Sequence, residues 1–244
     1  NQPLQLDIGL VKDVLAVSGT LKTAKRIEEA LVKMQQSKEI VFDIQDGIFG
    51  FTTDGIGFAS FSLSDLEVSK AGNSKLWKIF SSVFEDEKIL KSGHDLKALC
   101  KLFISKDVGI TGISFDTKIA AYLLKADRKD YEFGELYANE TGETLEDGFD
   151  NKLFGVWKLK NILWDKLKSD NLIKIFEDIE VPLISILAEM ELAGVRIDLG
   201  SLKKLSKSVN EETAKLEKNI YKLAGIEFNI NSPAQMKDIL FERL

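Results

Sequence analysis

The side chains that could do chemistry are few and scattered. The only histidine, His94, and the acids Asp95 and Asp116 stand where a strand reading gives way to a helix reading, a position at which a carboxylate caps a helix N-terminus. Asp43 closes the apolar strand EIVFDI, and its simplest role is that of a solvated or hydrogen-bonded strand-end acid. The one cysteine, Cys100, lies in the apolar run LKALCKLF, where a buried structural thiol is expected rather than a nucleophile. The acidic stretch Glu132 to Asp150 reads as solvated surface. No Gly-rich phosphate loop, Cys/His metal spacing or Gly-x-Ser-x-Gly elbow occurs, which leaves carboxylate chemistry and electrostatics. The electrostatic candidate is a basic run: Lys203, Lys204, Lys207, Lys215, Lys218 and Lys222 against Glu211, Glu212 and Glu217, a local balance of +3 in a chain of net charge -6. At about 100° per residue, and with Lys203 as zero, these lysines fall within an arc of roughly 0 to 120°, whereas the apolar residues fall near 200 to 260°. Glu211 intrudes on the basic arc.

The elements that must position these groups follow from periodicity. Leu10 to Val17 reads as a first strand, Ala24, Ile27, Leu31 and Met34 mark an amphipathic helix, and EIVFDI is the next strand. Phe49 to Thr52 and Ile56 to Phe61 read as strands joined at Asp54-Gly55, a hairpin dipeptide. Ser74 caps a helix, KILKS is a strand, Asp95 caps the helix that carries Leu96, Leu99 and Phe103, and Asp116 caps TKIAAYLLK after the strand ITGISFD. Asp127 to Asp150 reads as a short helix plus loop. A meander followed by helix-strand alternation gives an α/β mixed sheet with helices on its faces.

Two long helices close the chain as an all-α hairpin. The first places Phe176, Ile179, Leu183, Ile186, Leu187 and Met190 on one buried face, is kinked at Pro182 and stops at Gly194. The second opens at Asp198, is expected to bury Leu202, Leu205, Val209, Leu216, Ile220 and Leu223, and stops at Gly225. Ser232-Pro233-Ala234-Gln235 has the residues of a capping box, with Ser at the N-cap, Pro at the first helical position and Gln three residues on.

With 244 residues, 44% hydrophobic and 30% charged, the chain can bury a full core and hold one or two domains. One cysteine excludes an internal disulfide framework and suits a reducing cytoplasm. No apolar run approaches the roughly 18 to 20 residues of a membrane span. NQPLQLDIGL lacks the plan of a signal peptide, and the missing initial Met suggests a fragment. The acidic pI near 5.1 argues against a dedicated nucleic-acid binder by the total alone.

AEMELAGVRID, the second helix ending in LAG, and FNINSP followed by ILFERL resemble, in that order, the start of the polymerase region of family A DNA polymerases. KSGHDLKALCKLF followed by ITGISFDTKIAAYLL is similar to paired motifs of the exonuclease domain of that family and, more distantly, of ribonuclease D. The resemblance implies a ribonuclease H-like 3'-5' exonuclease domain over residues 1–170 and the first thumb helices over 171–244. It also implies a monomer that grips duplex primer-template DNA, with Mg²⁺ expected for the parent polymerase and none for this stretch. Lys203, Lys207, Lys215, Lys218 and Lys222, with Asn231, Ser232 and Gln235, become its DNA-contacting candidates.

Nucleases of the family hold two divalent ions about 3.5–4 Å apart with four carboxylates. The resemblance sets the first two as Asp-x-Glu, two residues apart on one strand face, and Asp43 and Gln45 occupy those positions here. The third falls on Leu99. Asp95, four residues earlier, lies roughly 6 Å away along a helix, too far to replace a ligand held near 2.0–2.6 Å. The fourth belongs to a Tyr-x-x-x-Asp helix, which KLFGVWKLKNILW lacks; Asp147 and Asp150 are near but have no matching tyrosine. The expectation is a vestigial exonuclease-like domain with no catalytic residue and no bound metal, in a polymerase of DNA replication and repair. A working exonuclease of the ribonuclease D type with shifted ligands, and a free-standing scaffold on the same fold, remain open on the residues alone.

Overall fold

The computed structural model describes residues 19–66, 75–128, 130–146 and 148–243; the expected strand Leu10–Val17 and the Ser74 cap lie outside them. Packing divides the chain into two compact units, Asn1–Ala193 and Gly194–Leu244, whereas the sequence reading drew its boundary after residue 170.

Among the described residues, the first unit is built on a six-stranded mixed sheet. Its strands are β1 (Gly19–Thr20), β2 (Glu39–Gln45), β3 (Ile48–Thr52), β4 (Ala59–Ser62), β5 (Leu90–Gly93) and β6 (Ile113–Asp116), in the order β1-β4-β3-β2-β5-β6. β2, β3 and β4 are antiparallel neighbours, and β5 and β6 extend β2 in parallel. The tightest turn is Asp46-Gly47, because Gln45 faces Ile48 directly. Both turn residues have positive φ, 49° and 77°, the geometry that makes Asp-Gly a preferred two-residue hairpin link. The hairpin expected at Asp54-Gly55 is longer than a tight turn: β4 begins only at Ala59, which pairs with Phe51. Asp54 Oδ1 accepts from the N–H groups of Ile56 and Gly57 instead, an Asx-type loop.

Helices cover both sheet faces. Because strand side chains alternate, Ile40 and Phe42 of β2 enter one core with α1 (Ala24–Gln36), α2 (Lys75–Glu85) and α3 (Leu96–Ile104), where Phe49, Phe80, Phe84 and Phe103 pack ring on ring. Val41 enters the other core, with Phe115, α4 (Thr117–Leu124), α5 (Phe133–Thr141) and α6 (Phe149–Ser169). α6 has 21 residues and buries Leu153, Val156, Leu159, Leu163 and Leu167, a helical stripe. The short α7 (Ile173–Ile175) leads into a π-helical turn, Phe176–Glu180, directly before α8 (Val181–Ala193). Pro182 has no N–H to donate to the preceding turn, and the wider turn answers the kink expected there.

The face of this segment differs from the expected one. Phe176, Ile184 and Ala188 are buried, while Ile179, Ile186, Leu187 and Met190 are exposed, because α8 packs on α3 and β6 with the next ridge of the helix.

The second unit holds α9 (Leu199–Ala224), α10 (Pro233–Asp238) and a closing π-helical turn, Ile239–Arg243. Asp198 caps α9 through Ser201 N at 3.0 Å. The expected burial of Leu202, Leu205, Val209, Leu216 and Leu223 is not found: α9 buries no residue, and these five are exposed. Among the described residues no helix is long and apolar enough to cross a membrane.

Candidate functional site

β2 places Asp43 and Gln45 on one face, the face covered by α6. Asp43 is buried, and Gln45 Nε2 donates to its Oδ2 at 3.1 Å. The cross-strand partner of Asp43 is Gly50. Phe149, at the start of α6, lies over Gly50 so closely that a Cβ there would come within 2.4 Å of the ring. One turn further along α6, Lys152 reaches the same strand pair and sets its Nζ 2.7 Å from Asp43 Oδ2. The ammonium also lies 5.8 Å from the centre of the Phe133 ring. Asp43 Oδ2 therefore faces both an ammonium and an amide N–H. Leu99 is buried in the phenylalanine-rich core on the other side of the sheet.

The neighbouring strand ends are equally self-contained. Asp116 caps α4 as expected, accepting from Lys118 N at 2.8 Å and Ile119 N at 3.3 Å. It also caps α3, accepting from Leu96 N at 2.7 Å and Asp95 N at 3.2 Å. Asp95 is not the side-chain cap expected of it: it stands at the N-cap in the left-handed region, φ 56°, without a side-chain cap bond, and pairs with Lys118 Nζ at 2.6 Å. One buried carboxylate thus ties two helix N-termini together. Burial pushes Asp116 up to about 6, against the pull of its four N–H donors. His94 Nδ1 is 2.8 Å from Thr117 Oγ1. Burial, with the nearby Lys152 and Lys118 charges, lowers His94 to about 4, so it is neutral at pH 7 and serves the strand-to-helix junction. Burial raises the Cys100 thiol to about 12, which excludes a thiolate nucleophile.

This donor set does not fit a pair of divalent ions. The first carboxylate is occupied by a lysine, the second position offers an amide, and the third is hydrocarbon. Among the described residues no three His, Cys, Asp or Glu side chains gather where a metal could be held. Sequence reasoning missed Lys152. The signal was the α6 stripe itself, since Phe149, Lys152 and Val156 follow at three and four residues and so share a face.

On the second unit, the lysines at 203, 204, 207, 215, 218 and 222 are exposed. Lys207 and Lys215 have loose ion pairs with Glu211 and Glu212, at 3.9 and 3.7 Å. α10 starts at Pro233, with Ser232 Oγ accepting from Gln235 N at 3.5 Å. Gln235 Oε1 accepts from Asn229 N at 2.8 Å rather than from Ser232 N, so half of a capping box is formed. Asn231 is exposed.

Residues 51–156 match the family described as DNA polymerase I, ribonuclease H-like domain. Over most of its length the chain is similar to bacterial DNA polymerase I. It is 35% identical over 180 residues to DNA polymerase I of Bacillus caldotenax, covering 65% of this chain and 20% of that one. It is 26% identical over 221 residues to DNA polymerase I of Bacillus subtilis, covering 82% and 24%. The chain therefore spans only a fifth to a quarter of these relatives. Its fold matches a structure titled as the POL domain of Pol1 from M. smegmatis in complex with DNA primer-template and dNTP. The TM-score is 0.76 and the identity 19%, over 93% of this chain and 41% of that one. The match covers the ribonuclease H-like sheet and the helical region that follows.

Proposed function

We propose that this chain is the exonuclease-like and first thumb portion of a DNA polymerase I, a DNA-directed nucleotidyltransferase of replication and repair, and that its exonuclease-like site is silent. One observation carries the second part: the Lys152 ammonium on Asp43 occupies the place where a nuclease of this fold needs a divalent cation. A fixed ammonium balances one carboxylate but cannot activate water or bridge a leaving oxygen, which is the work of the two metals. The sheet then acts as a scaffold, and the Mg²⁺ expected of the whole polymerase belongs to its polymerase centre. The α9 lysines and the α10 corner are the duplex-facing groups, a reading supported by the primer-template in the solved relative and by the exposure of all six lysines.

The test is incubation of the chain with end-labelled single-stranded DNA and Mg²⁺ or Mn²⁺. The labelled strand is expected to stay full length, with Gln45→Glu alone changing nothing. Stepwise removal of 3' nucleotides that disappears in Asp43→Ala would overturn the silent reading and support a working exonuclease.

A further inference from the structure

Two cavities of the first unit, about 550 and 510 Å³, both have Trp164 and Glu177 in their walls and so form one groove. Each falls in the range of about 300–1,000 Å³ typical of small-molecule sites. The groove lies at the end of the sheet where the parallel strands begin, since the first residues of β5 and β6, Leu90 and Ile113, line it. Leu90 is aligned with Glu39, four residues before Asp43, so the groove is roughly 13 Å along the strand from the degenerate nuclease site.

Its chemistry is specific. Trp164 is half-buried and leans on Phe115, with ring centres 6.1 Å apart at 55°, and its indole borders both cavities. Asn161 and Glu177 offer an amide and a carboxylate beside it, and Lys168 and Lys174 line the second cavity together with the carboxylates of Glu177 and Asp178. None of the Asn161, Glu177, Lys168 and Lys174 side chains, nor the Trp164 N–H, has a hydrogen-bond or ion-pair partner among the described residues. Lys160, by contrast, is tied to Glu39, which also accepts from Ser92 at 2.7 Å. An aromatic wall, an unengaged donor-acceptor edge and two ammonium groups that form no ion pair with the neighbouring Glu177 and Asp178 fit a flat polar ring with an anion attached. We propose that the groove binds a nucleotide unit, its base against Trp164 and within reach of Asn161 and Glu177, its phosphate at Lys168 and Lys174. The unit could come from a free nucleotide or from a single strand of DNA. The inference does not depend on the silence of the nuclease site.

The test follows the indole N–H resonance of Trp164 in the 244-residue chain, with Trp77 and Trp157, which lie outside the groove, as internal references. The probes are dAMP, a deoxyadenosine hexanucleotide and inorganic phosphate. A saturable shift confined to Trp164 with dAMP assigns the site to free nucleotides. The same shift with the hexanucleotide alone assigns it to a strand. Lys168→Glu/Lys174→Glu, a surface change that leaves the core intact, should weaken binding at least about tenfold, and Trp164→Leu should do so by a similar factor through lost stacking. No shift with either nucleotide probe, a shift matched by inorganic phosphate, or binding unaffected by the double lysine variant would each overturn the proposal.

Discussion

Lys152 holds Asp43 in an ion pair, Nζ to Oδ2 at 2.7 Å, and on the proposed reading that ammonium stands in for a metal. Asp43 keeps a buried position, and an unpaired carboxylate there would be costly, because removing one partner of a buried ion pair typically costs about 3–5 kcal/mol. The pair is buried on the Asp43 side and about one quarter exposed on the Lys152 side, 6% and 23%, so the lower end applies. Lys152→Met should lower unfolding stability by about 3 kcal/mol in urea, and adding Asp43→Asn should recover at least half of that. A loss below about 1 kcal/mol would show the pair to be effectively a solvated one. What was legible at this scale was absence. That Gln45 and Leu99 carry no anionic group is plain from the sequence, whereas the ammonium paired with Asp43 comes from a helix more than a hundred residues later in the chain. The dual capping by Asp116 was hidden for the same reason: its bonds to α4 are local, but those to Asp95 N and Leu96 N cross between strands.

At the scale of elements, local periodicity carried the strands β2 and β5 and the helices α1, α3 and α4, whose apolar stripes each face one core. It failed where tertiary packing chose among ridges. α8 is apolar on several sides, so its stripe could not say that Ile184 and Ala188, rather than Ile186 and Met190, would meet α3. α6 illustrates a different limit, because helix propensity misjudges one of its residues. Gly155 sits mid-helix, where Ala would ordinarily gain about 1 kcal/mol. Here an added Cβ would come 2.9 Å from Phe133 Cζ and 3.3 Å from the Tyr137 ring. Gly155→Ala should therefore destabilise, by about 1–3 kcal/mol, and thermal unfolding would show it as a lower Tm. A higher Tm would mean that α5 yields to α6 without cost. The Phe133 ring also meets Lys152 and His94, so this glycine helps to seat the ammonium at Asp43.

For the whole molecule, the acidic total conceals a division of labour. The first unit neutralises its own strand-end acids with Lys152 and Lys118, whereas α9 leaves Lys203, Lys204, Lys218 and Lys222 without ion pairs among the described residues. The basic arc was legible from spacing, and its exposure follows in the structure. The apolar arc opposite was expected to be buried and is not, since α9 contributes no buried residue. If the basic arc neutralises duplex phosphates, each engaged lysine contributes about 0.9 to the slope of log affinity against log salt. A Lys203→Ala/Lys207→Ala/Lys218→Ala variant of the complete polymerase should bind primer-template more weakly, with a slope shallower by up to about 2.7; unchanged affinity and slope would make the arc a solvated face. The central claim, that an ammonium stands where the nuclease metals belong, is tested most directly by titrating the chain with Mn²⁺ and following the free ion by electron paramagnetic resonance. The account predicts that the chain and its Asp43→Ala variant deplete free Mn²⁺ equally. Saturable binding of two ions per chain that is abolished by Asp43→Ala would contradict it.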